Sequence, residues 1–262
     1  MSRDPRRALH REKRDWDRLA TLDARWAILS DRRHKFGRWS LPDFFAEGAQ
    51  DVERFLAIAH ELGLPKQHGT VLDFGCGIGR LAPGLLTAFR SYCGLDLSAE
   101  MVARATQLHE TGPTCQFRVN QDSTLEQIPE DSFDLIVSLY VLQHCTVRSE
   151  ALSILRGLLR TLRPGGLIIV QIPDRIPAPE KFFYDTRRGL FTALARLRVP
   201  QSFAFRHLGL FPMTLNYLSE DEVTNAIQAS GGEIVRVDRG RVGIAVRDRT
   251  YFATRDAGAS SP

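Results

Sequence analysis

The feature that most constrains this chain of 262 residues is an alternation of short apolar runs with helical stretches between residues 70 and 172. Five of the runs are rich in β-branched or aromatic residues, and in chain order they are TVLDF, YCGLD, CQFRV, FDLIVSLY and GLIIVQI. Strands that alternate with helices form parallel sheets covered by helices on both faces. Two more strand candidates, near 233–238 and 249–254, follow a capping box at Ser219 and Glu222. The sequence therefore predicts an α/β fold with a doubly wound, seven-stranded, mostly parallel sheet.

Other segments flank or interrupt this alternation. Residues 1–68 contain two helical patterns, the first with an apolar stripe at three- and four-residue steps, and they predict an amino-terminal helical cap. Residues 69–254 form the main domain. Within it, 173–215 carry prolines and then an aromatic- and arginine-rich helical pattern, which predicts an inserted lid. Residues 255–262 are mostly small and polar and predict a disordered tail.

Composition excludes several classes of protein. Hydrophobic residues at 43% and charged residues at 25% are ordinary for a globular chain, and no apolar run approaches the roughly 20 residues of a membrane span. The four cysteines form no CxxC pair, and the seven histidines have no spacing typical of metal ligands. We therefore expect a cytoplasmic protein with no metal site and no membrane partner.

The net charge of +4 is unevenly distributed. Residues 1–40 carry twelve Lys and Arg against six Asp and Glu, and residues 174–215 carry seven against three. These basic segments are either solvated faces or a rim that attracts an anion, and the sequence leaves both interpretations open.

The most informative stretch runs from Val71 to Arg80, where a predicted strand enters a glycine-rich turn before a helix. Glycine allows a ligand to approach the main chain and allows positive φ angles. The spacing is DxGxGxG rather than the GxGxxG of dinucleotide-binding proteins, so it disfavours a pyrophosphate ligand and an NAD-linked oxidoreductase. The alternative is a tight turn with no ligand.

Four further motifs follow the glycine turn in a fixed order. They are GLDLS with Asp96, 19 residues after Gly77; Gln121-Asp122-Ser123; the fourth strand with Val141-Leu142-Gln143-His144 after it; and Leu162-Arg163-Pro164-Gly165-Gly166. Together the five motifs resemble the class I S-adenosylmethionine-dependent methyltransferases, over about residues 70 to 254. The resemblance implies a Rossmann-like enzyme that uses S-adenosylmethionine and releases S-adenosylhomocysteine. The amino-terminal pattern of Trp26, Trp39, Phe44-Phe45 and Gly48 is similar to a bacterial subgroup with small-molecule acceptors.

For the methionine half of the donor, the resemblance implies contacts with the glycine turn. Gly75, Gly77 and Gly79 would let the chain pass under this half, whose carboxylate would gain from the amino terminus of a helix that begins near Gly79. Asp73 would help to place the ammonium group, directly or through water.

For the adenosine half, the resemblance implies a second group of contacts. Asp96 would accept the ribose hydroxyls, Leu97 and Met101 would pack on the adenine, and Asp122 with the Ser123 backbone would bind the adenine edge. The alternative for Asp96 is a cap of the following helix, and the alternative for Asp122 is an ordinary loop acid.

The implied reaction is an in-line displacement that moves a methyl group to an oxygen or nitrogen of a small-molecule acceptor. His144 is a candidate base, and Tyr140 lies in a similar position, although relatives also use such residues only to line the pocket. Arg187 and Arg188 with the aromatic residues of both basic segments suggest an anionic or sugar-bearing acceptor. Two alternatives stay open: an RNA methyltransferase, which the absence of an RNA-binding module disfavours, and a donor-binding protein without catalysis.

Overall fold

The computed structural model describes residues 5–30, 32–242 and 246–255. Within these ranges the strands form one seven-stranded sheet in the order β3-β2-β1-β4-β5-β7-β6. The strands are β1 (Thr70–Phe74), β2 (Ser91–Asp96), β3 (Cys115–Val119), β4 (Phe133–Ser138), β5 (Leu162–Arg175), β6 (Gly232–Val242) and β7 (Val246–Arg255). Strands β1 to β5 pair in parallel, and β7 pairs antiparallel with both β5 and β6. The predicted fold class is confirmed.

Helices connect the strands, and their bounds differ in places from those that the sequence suggests. They are α1 (Pro5–Ile28), α2 (Leu41–Glu61), α3 (Ala82–Ala88), α4 (Ala99–Leu108), α5 (Arg148–Thr161), α6 (Ala178–Arg196), α7 (Gln201–Leu208) and α8 (Glu220–Ala229). Helix α3 begins three residues after Gly79, and α5 ends before Pro164. Strand β5 continues to Arg175, so it extends into the segment predicted as a lid.

The core consists of a layer on each face of the sheet, because successive side chains of a buried strand point to opposite faces. Leu72 and Ile136 pack on the face that α5 and α8 cover. Val71 and Leu135, each one residue earlier, pack on the face that α2 and α3 cover. Burial on both faces explains why these strands appear in the sequence as continuous apolar runs.

The strand order places a cleft at one edge of the sheet. The chain goes outward from β1 through β2 to β3, and then returns to add β4 on the other side of β1. At such a reversal the connections leave in opposite directions, which opens a crevice at the carboxyl ends of the two strands. The glycine turn follows β1 and therefore lies at this crevice.

Two of the family motifs stabilise the opposite end of the sheet. The Asp134 carboxylate accepts hydrogen bonds from the backbone N–H groups of Gly69 (2.9 Å) and Thr70 (2.7 Å), and Arg163 donates to it at 2.9 Å. These bonds join the starts of β1, β4 and β5. They hold these three strands in register at the end of the sheet that lies away from the cleft.

Helix α1 is broken at Asp23, whose extended backbone (φ −169°, ψ 84°) interrupts the helical conformation. The Asp23 carboxylate accepts from the Trp26 N–H and from the Gly37 N–H, so it caps the second half of the helix and fixes the loop that follows. The first half packs on α4, where the Ser98 hydroxyl donates to the Asp17 carboxylate at 2.6 Å. These contacts hold α1 beside the cleft.

The predicted tail, 255–262, lies outside the described residues except for Arg255, which belongs to β7. Residues 1–4 of the predicted cap also lie outside them. Among the described helices, none combines the length and the apolar character that crossing a bilayer requires.

Candidate active site

A cleft lies at the carboxyl ends of the parallel strands. Its lining residues come from the ends of β1 to β4, from the loop after β4, and from α1, α4 and α5. They are Leu9, Glu12, Trp16, Ala27, Ile28, Phe74, Gly75, Gly77, Leu95, Asp96, Leu97, Met101, Asn120, Leu139, Tyr140, Val141, His144, Cys145 and Ile154.

The glycine turn forms the floor of the cleft at Gly75 and Gly77. Both residues have positive φ angles, +77° and +55°. A Cβ at Gly75 would overlap the Val141 side chain, and a Cβ at Gly77 would lie 2.5 Å from Ile28 Cδ1. The N–H of Gly75 donates to the Leu95 carbonyl at 2.7 Å, which anchors the turn to the end of β2. The turn therefore requires glycine and exposes main chain to the cleft.

Gly79 has a different role from the one predicted. Its φ angle is also positive, at +80°, but it does not line the cleft, and a Cβ there would meet His109 and Phe117. Its N–H donates to the Cys76 carbonyl, and the Ala82 N–H donates to the Gly79 carbonyl. Gly79 thus closes the turn into α3 away from the cleft, and the helix amino terminus expected near it begins only at Ala82.

Asp96 lies in the cleft at the end of β2. One carboxylate oxygen accepts from the Gly77 N–H and the other from the Ser98 N–H, both at 2.8 Å. A carboxylate has about four acceptor positions, so roughly two remain for a ligand. Burial raises the pKa of Asp96 to about 6, although these backbone hydrogen bonds act to lower it. Asp96 therefore both steadies the turn and presents an ionised acceptor at neutral pH.

Asp73 lies behind the turn and not in the cleft. Its side chain is 3% exposed, and its Oδ2 accepts from the Tyr92 hydroxyl at 2.8 Å. Burial raises the pKa of this carboxyl to about 7. Asp73 therefore does not contact an ammonium group in the cleft directly, as one form of the prediction had it, because its carboxylate is buried and faces Tyr92.

The buried Asp73 carboxyl predicts a pH dependence of stability. An aspartate in the unfolded chain ionises near pH ~4, so between about pH 4 and pH 7 the folded state holds a proton that the unfolded state has lost. This group therefore destabilises the fold progressively as the pH rises through that interval. We expect the free energy of unfolding of Asp73→Asn, relative to the wild type, to rise by about 3 kcal/mol from pH 4.5 to pH 7.5.

Urea unfolding at a series of pH values measures this effect. Tyr92→Phe is the matched control, since it keeps the carboxyl but removes a hydrogen bond that lowers the pKa of Asp73, so its unfolding should keep the pH dependence of the wild type and extend it to higher pH. Parallel profiles for Asp73→Asn and the wild type would contradict the prediction.

The predicted adenine-edge residues lie outside the cleft lining. One oxygen of Asp122, Oδ1, accepts from the Thr124 N–H (2.9 Å), the Thr124 hydroxyl (3.0 Å) and the Leu125 N–H (2.7 Å). Asp122 thus organises its own loop, as the alternative interpretation anticipated, and Ser123 does not line the cleft. Asn120 lines it instead, 4% exposed at the end of β3, with its side-chain carbonyl accepting from Gln127.

His144 and Tyr140 line the cleft as predicted, but neither environment suits a base. His144 Nδ1 lies 2.7 Å from the Thr214 carbonyl, so Nδ1 carries the hydrogen and Nε2 has the lone pair, with the Gln143 amide nitrogen 3.2 Å away. Burial lowers the pKa of His144 to about 4. Burial also raises the pKa of Tyr140, which has a positive φ of 62°. His144 is a weak proton acceptor, and the Tyr140 phenol stays protonated.

Helix α1 contributes three residues to the cleft lining that were not among the predicted site residues. Leu9, Glu12 and Trp16 line one side of the cleft, and their spacing of three and four residues places them on one face of the helix. The Trp16 ring meets the His144 ring edge-on, with 5.1 Å between centroids. A signal was present in the sequence, because Trp16 belongs to the apolar stripe and Glu12 is a charged residue one turn before it.

The arginines behind the anionic-acceptor hypothesis do not line the cleft. Arg188 pairs with Asp15 at 3.0 Å and donates to the Pro212 carbonyl, while Arg187 donates to the Gly209 carbonyl and lies over the Phe183 ring. Most of the larger aromatic residues near the two basic segments pack in a hydrophobic core: Trp39, Phe44, Phe45, Tyr184, Phe205 and Phe211. These side chains hold α1, α2, α6 and α7 together.

Comparison with known proteins identifies the domain. Residues 72–170, which include β1, the glycine turn, Asp96 and β4, match a family described as a methyltransferase domain. Residues 72–170 are therefore a methyltransferase domain, in agreement with the resemblance to class I S-adenosylmethionine-dependent methyltransferases. The cofactor of this methyltransferase domain is S-adenosylmethionine, and the bare main chain at Gly75 and Gly77 with the remaining acceptor positions of Asp96 fits that molecule.

Individual relatives agree with this assignment. The chain is 33% identical over 102 residues to a 2-methyl-6-phytyl-1,4-hydroquinone methyltransferase from Synechocystis, covering 38% of this chain and 31% of that protein. It is 32% identical over 110 residues to a ubiquinone biosynthesis O-methyltransferase from Pseudomonas fluorescens, covering 41% and 45%. The match thus spans less than half the length of these relatives.

The fold is also that of solved methyltransferases. Magnesium protoporphyrin IX methyltransferase from Synechocystis, solved with bound S-adenosylhomocysteine, superposes with a TM-score of 0.56 over 88% of this chain and 93% of that chain. At 22% identity this likeness concerns the fold alone.

Proposed function

We propose that this methyltransferase transfers the methyl group of S-adenosylmethionine to an oxygen or nitrogen atom of a small-molecule acceptor. The observation that carries the proposal is the continuity of one cleft. Its floor and one side have the features that suit the donor, namely bare main chain at Gly75 and Gly77, the Asp96 carboxylate and Asn120. Its other side, against α1, is lined mainly by apolar and aromatic side chains, with the Glu12 carboxylate among them, and suits a second, smaller molecule.

The donor would lie along the ends of β1 to β3. Asp96 would accept hydrogen bonds from the ribose hydroxyls, and Leu97 and Met101 would pack on the adenine ring. Asn120, rather than Asp122, would bind the adenine edge, since its amide is buried and lines the cleft. The methionine half would follow the main chain at Gly75 and Gly77.

Bound S-adenosylmethionine supplies a methyl group on a cationic sulfonium, and the residues of this chain supply alignment and exclusion of water. Charge disperses in such a displacement, so acceleration comes mainly from holding the reacting atoms at about 3–3.5 Å. Leu139, Val141 and Ile154 make the surroundings apolar. Tyr140 and His144 act as walls that orient the acceptor.

The acceptor suited to this cleft is uncharged and partly apolar. Arg187 and Arg188, on which an anionic acceptor would depend, are engaged elsewhere. The names of two relatives point to hydroquinone and ubiquinone-precursor acceptors, which are ring compounds with hydroxyl groups. A hydroxyl on an uncharged ring therefore fits this cleft better than a phosphate or a sugar acid.

Transfer of label tests the function. Full-length protein would be incubated with methyl-tritiated S-adenosylmethionine and, separately, with a panel of phenols and hydroquinones or with total RNA. We expect label in the organic extract of the phenol and hydroquinone arm and none in RNA. Label in RNA alone would favour the RNA methyltransferase. Binding of the donor by calorimetry without transfer to any acceptor would favour a donor-binding protein.

A further inference from the structure

Helix α1 brings a buried carboxylate to the acceptor side of the cleft. Glu12 is 6% exposed and lies on the helix face that also presents Leu9 and Trp16 to the cleft. Burying an ionisable group without a purpose is costly, because the charged form loses its hydration. The fold therefore keeps Glu12 in the cleft lining at a cost in stability.

The Glu12 carboxylate is held in place from the loop before α5. Its Oε1 accepts hydrogen bonds from both the N–H and the hydroxyl of Thr146. Both bonds end on the same oxygen, so they fix the carboxylate while the lone pairs of Oε2 remain for another donor. A side chain fixed in this way is oriented before any ligand arrives.

The other titratable groups that line the cleft are unsuited to taking a proton. His144 has a pKa of about 4, and burial raises the pKa values of Tyr140 and Cys145, which remain protonated at neutral pH. Asp96 already accepts two backbone hydrogen bonds at the donor side. Within the described lining, Glu12 is therefore the proton acceptor left on the acceptor side.

The surroundings of Glu12 make its carboxylate a stronger base than an exposed glutamate. Burial raises its pKa, the bonds from Thr146 and the charge of Arg188 act in the opposite direction, and Asp15 raises it slightly. The neighbouring Glu150 has a pKa of about 7, raised by burial and by Glu12, and does not line the cleft. A base is more effective when its pKa approaches the working pH.

On the basis of the proposed function, we propose that Glu12 is the catalytic base and forms, with Trp16, a subsite for a hydroxyl group on an uncharged aromatic ring. The acceptor hydroxyl would donate a hydrogen bond to the Glu12 carboxylate. As the oxygen–carbon bond forms and the carbon–sulfur bond breaks, the electron pair of the broken bond stays on sulfur and the hydroxyl proton passes to Glu12. Glu12 then releases that proton to water with product departure.

The test compares two acceptors of different acidity in the full-length protein. With hydroquinone, whose hydroxyl is protonated at pH 8, Glu12→Gln should lower kcat by a factor of roughly 100 to 1,000. It should also remove the rise of kcat with pH that the wild type shows at the acidic side. With 4-nitrophenol, which is already ionised at pH 8, the loss should be less than about tenfold, because no proton needs to be taken.

Controls separate this proposal from the proposed function. Glu150→Gln is the matched variant, a buried carboxyl beside Glu12 that does not line the cleft, and its kcat should stay within about threefold of the wild type. Donor binding by Glu12→Gln should stay within about twofold, and thermal unfolding reports whether the variant folds. An active wild type with an equally active Glu12→Gln, or equal losses on both acceptors, would overturn the role of Glu12. A wild type that binds the donor but transfers to neither acceptor would overturn the proposed function itself.

Discussion

Replacing Asp96 with asparagine is expected to weaken binding of S-adenosylhomocysteine by about 3 kcal/mol, which is roughly 100-fold in Kd. The side chain accepts from the N–H groups of Gly77 and Ser98, and an amide would turn one of its own donors toward one of them. The substitution also removes the charge that strengthens hydrogen bonds from the ribose hydroxyls. Titration calorimetry on the full-length protein measures the change.

Two comparisons make this measurement decisive. Asp122→Asn is the matched control, since Asp122 bonds only within its loop and lies outside the cleft lining, and its Kd should stay within about twofold. In the wild type, the Kd should rise below about pH 6, because protonation of Asp96 removes an acceptor. Equal Kd values for Asp96→Asn and the wild type would remove the assignment of the donor site.

Replacing Gly75 with alanine is expected to destabilise the protein by about 2–5 kcal/mol and to abolish donor binding. An alanine at a φ of +77° costs about 1–2 kcal/mol, and its Cβ would overlap the Val141 side chain, which adds about 1–3 kcal/mol. The methyl group would also project into the floor of the cleft. Urea unfolding and calorimetry measure the two effects.

Gly231→Ala separates backbone strain from overlap. Gly231 has nearly the same φ, +74°, but no atom lies within 4 Å of an added Cβ, so only the backbone cost of about 1–2 kcal/mol should appear. The double variant Gly75→Ala with Val141→Ala should recover part of the stability lost in Gly75→Ala. A loss at Gly75 no larger than that at Gly231 would show that Val141 yields without cost.

The residues of the proposed donor side could be selected from the sequence because they are tied to local structure. Gly75 and Gly77 follow β1 directly, and Asp96 ends β2, so the pairing of the two strands brings them together. Two residues predicted for this side lie outside the cleft lining, also for local reasons. The Asp122 carboxylate accepts from the N–H groups two and three residues ahead, and Gly79 closes the turn toward α3.

The roles predicted for His144 and Asp73 depended on environment, which sequence position does not contain. A histidine after β4 is a plausible base until burial and the Thr214 carbonyl fix its tautomer and lower its pKa. An aspartate before the glycine turn is a plausible partner for an ammonium group until Tyr92 takes it. In each case the deciding contact comes from another element of the fold.

The alternation of apolar runs determined the parallel sheet, and the glycine spacing with Asp96 predicted the donor site that we propose, since both depend on neighbours along the chain. The proposed acceptor side was decided only by the tertiary structure. Glu12 meets Thr146 across 134 residues of sequence, and Arg188 meets Asp15 across 173. No periodicity encodes such a meeting, because it depends on how α1 and α6 pack over the sheet after both have formed.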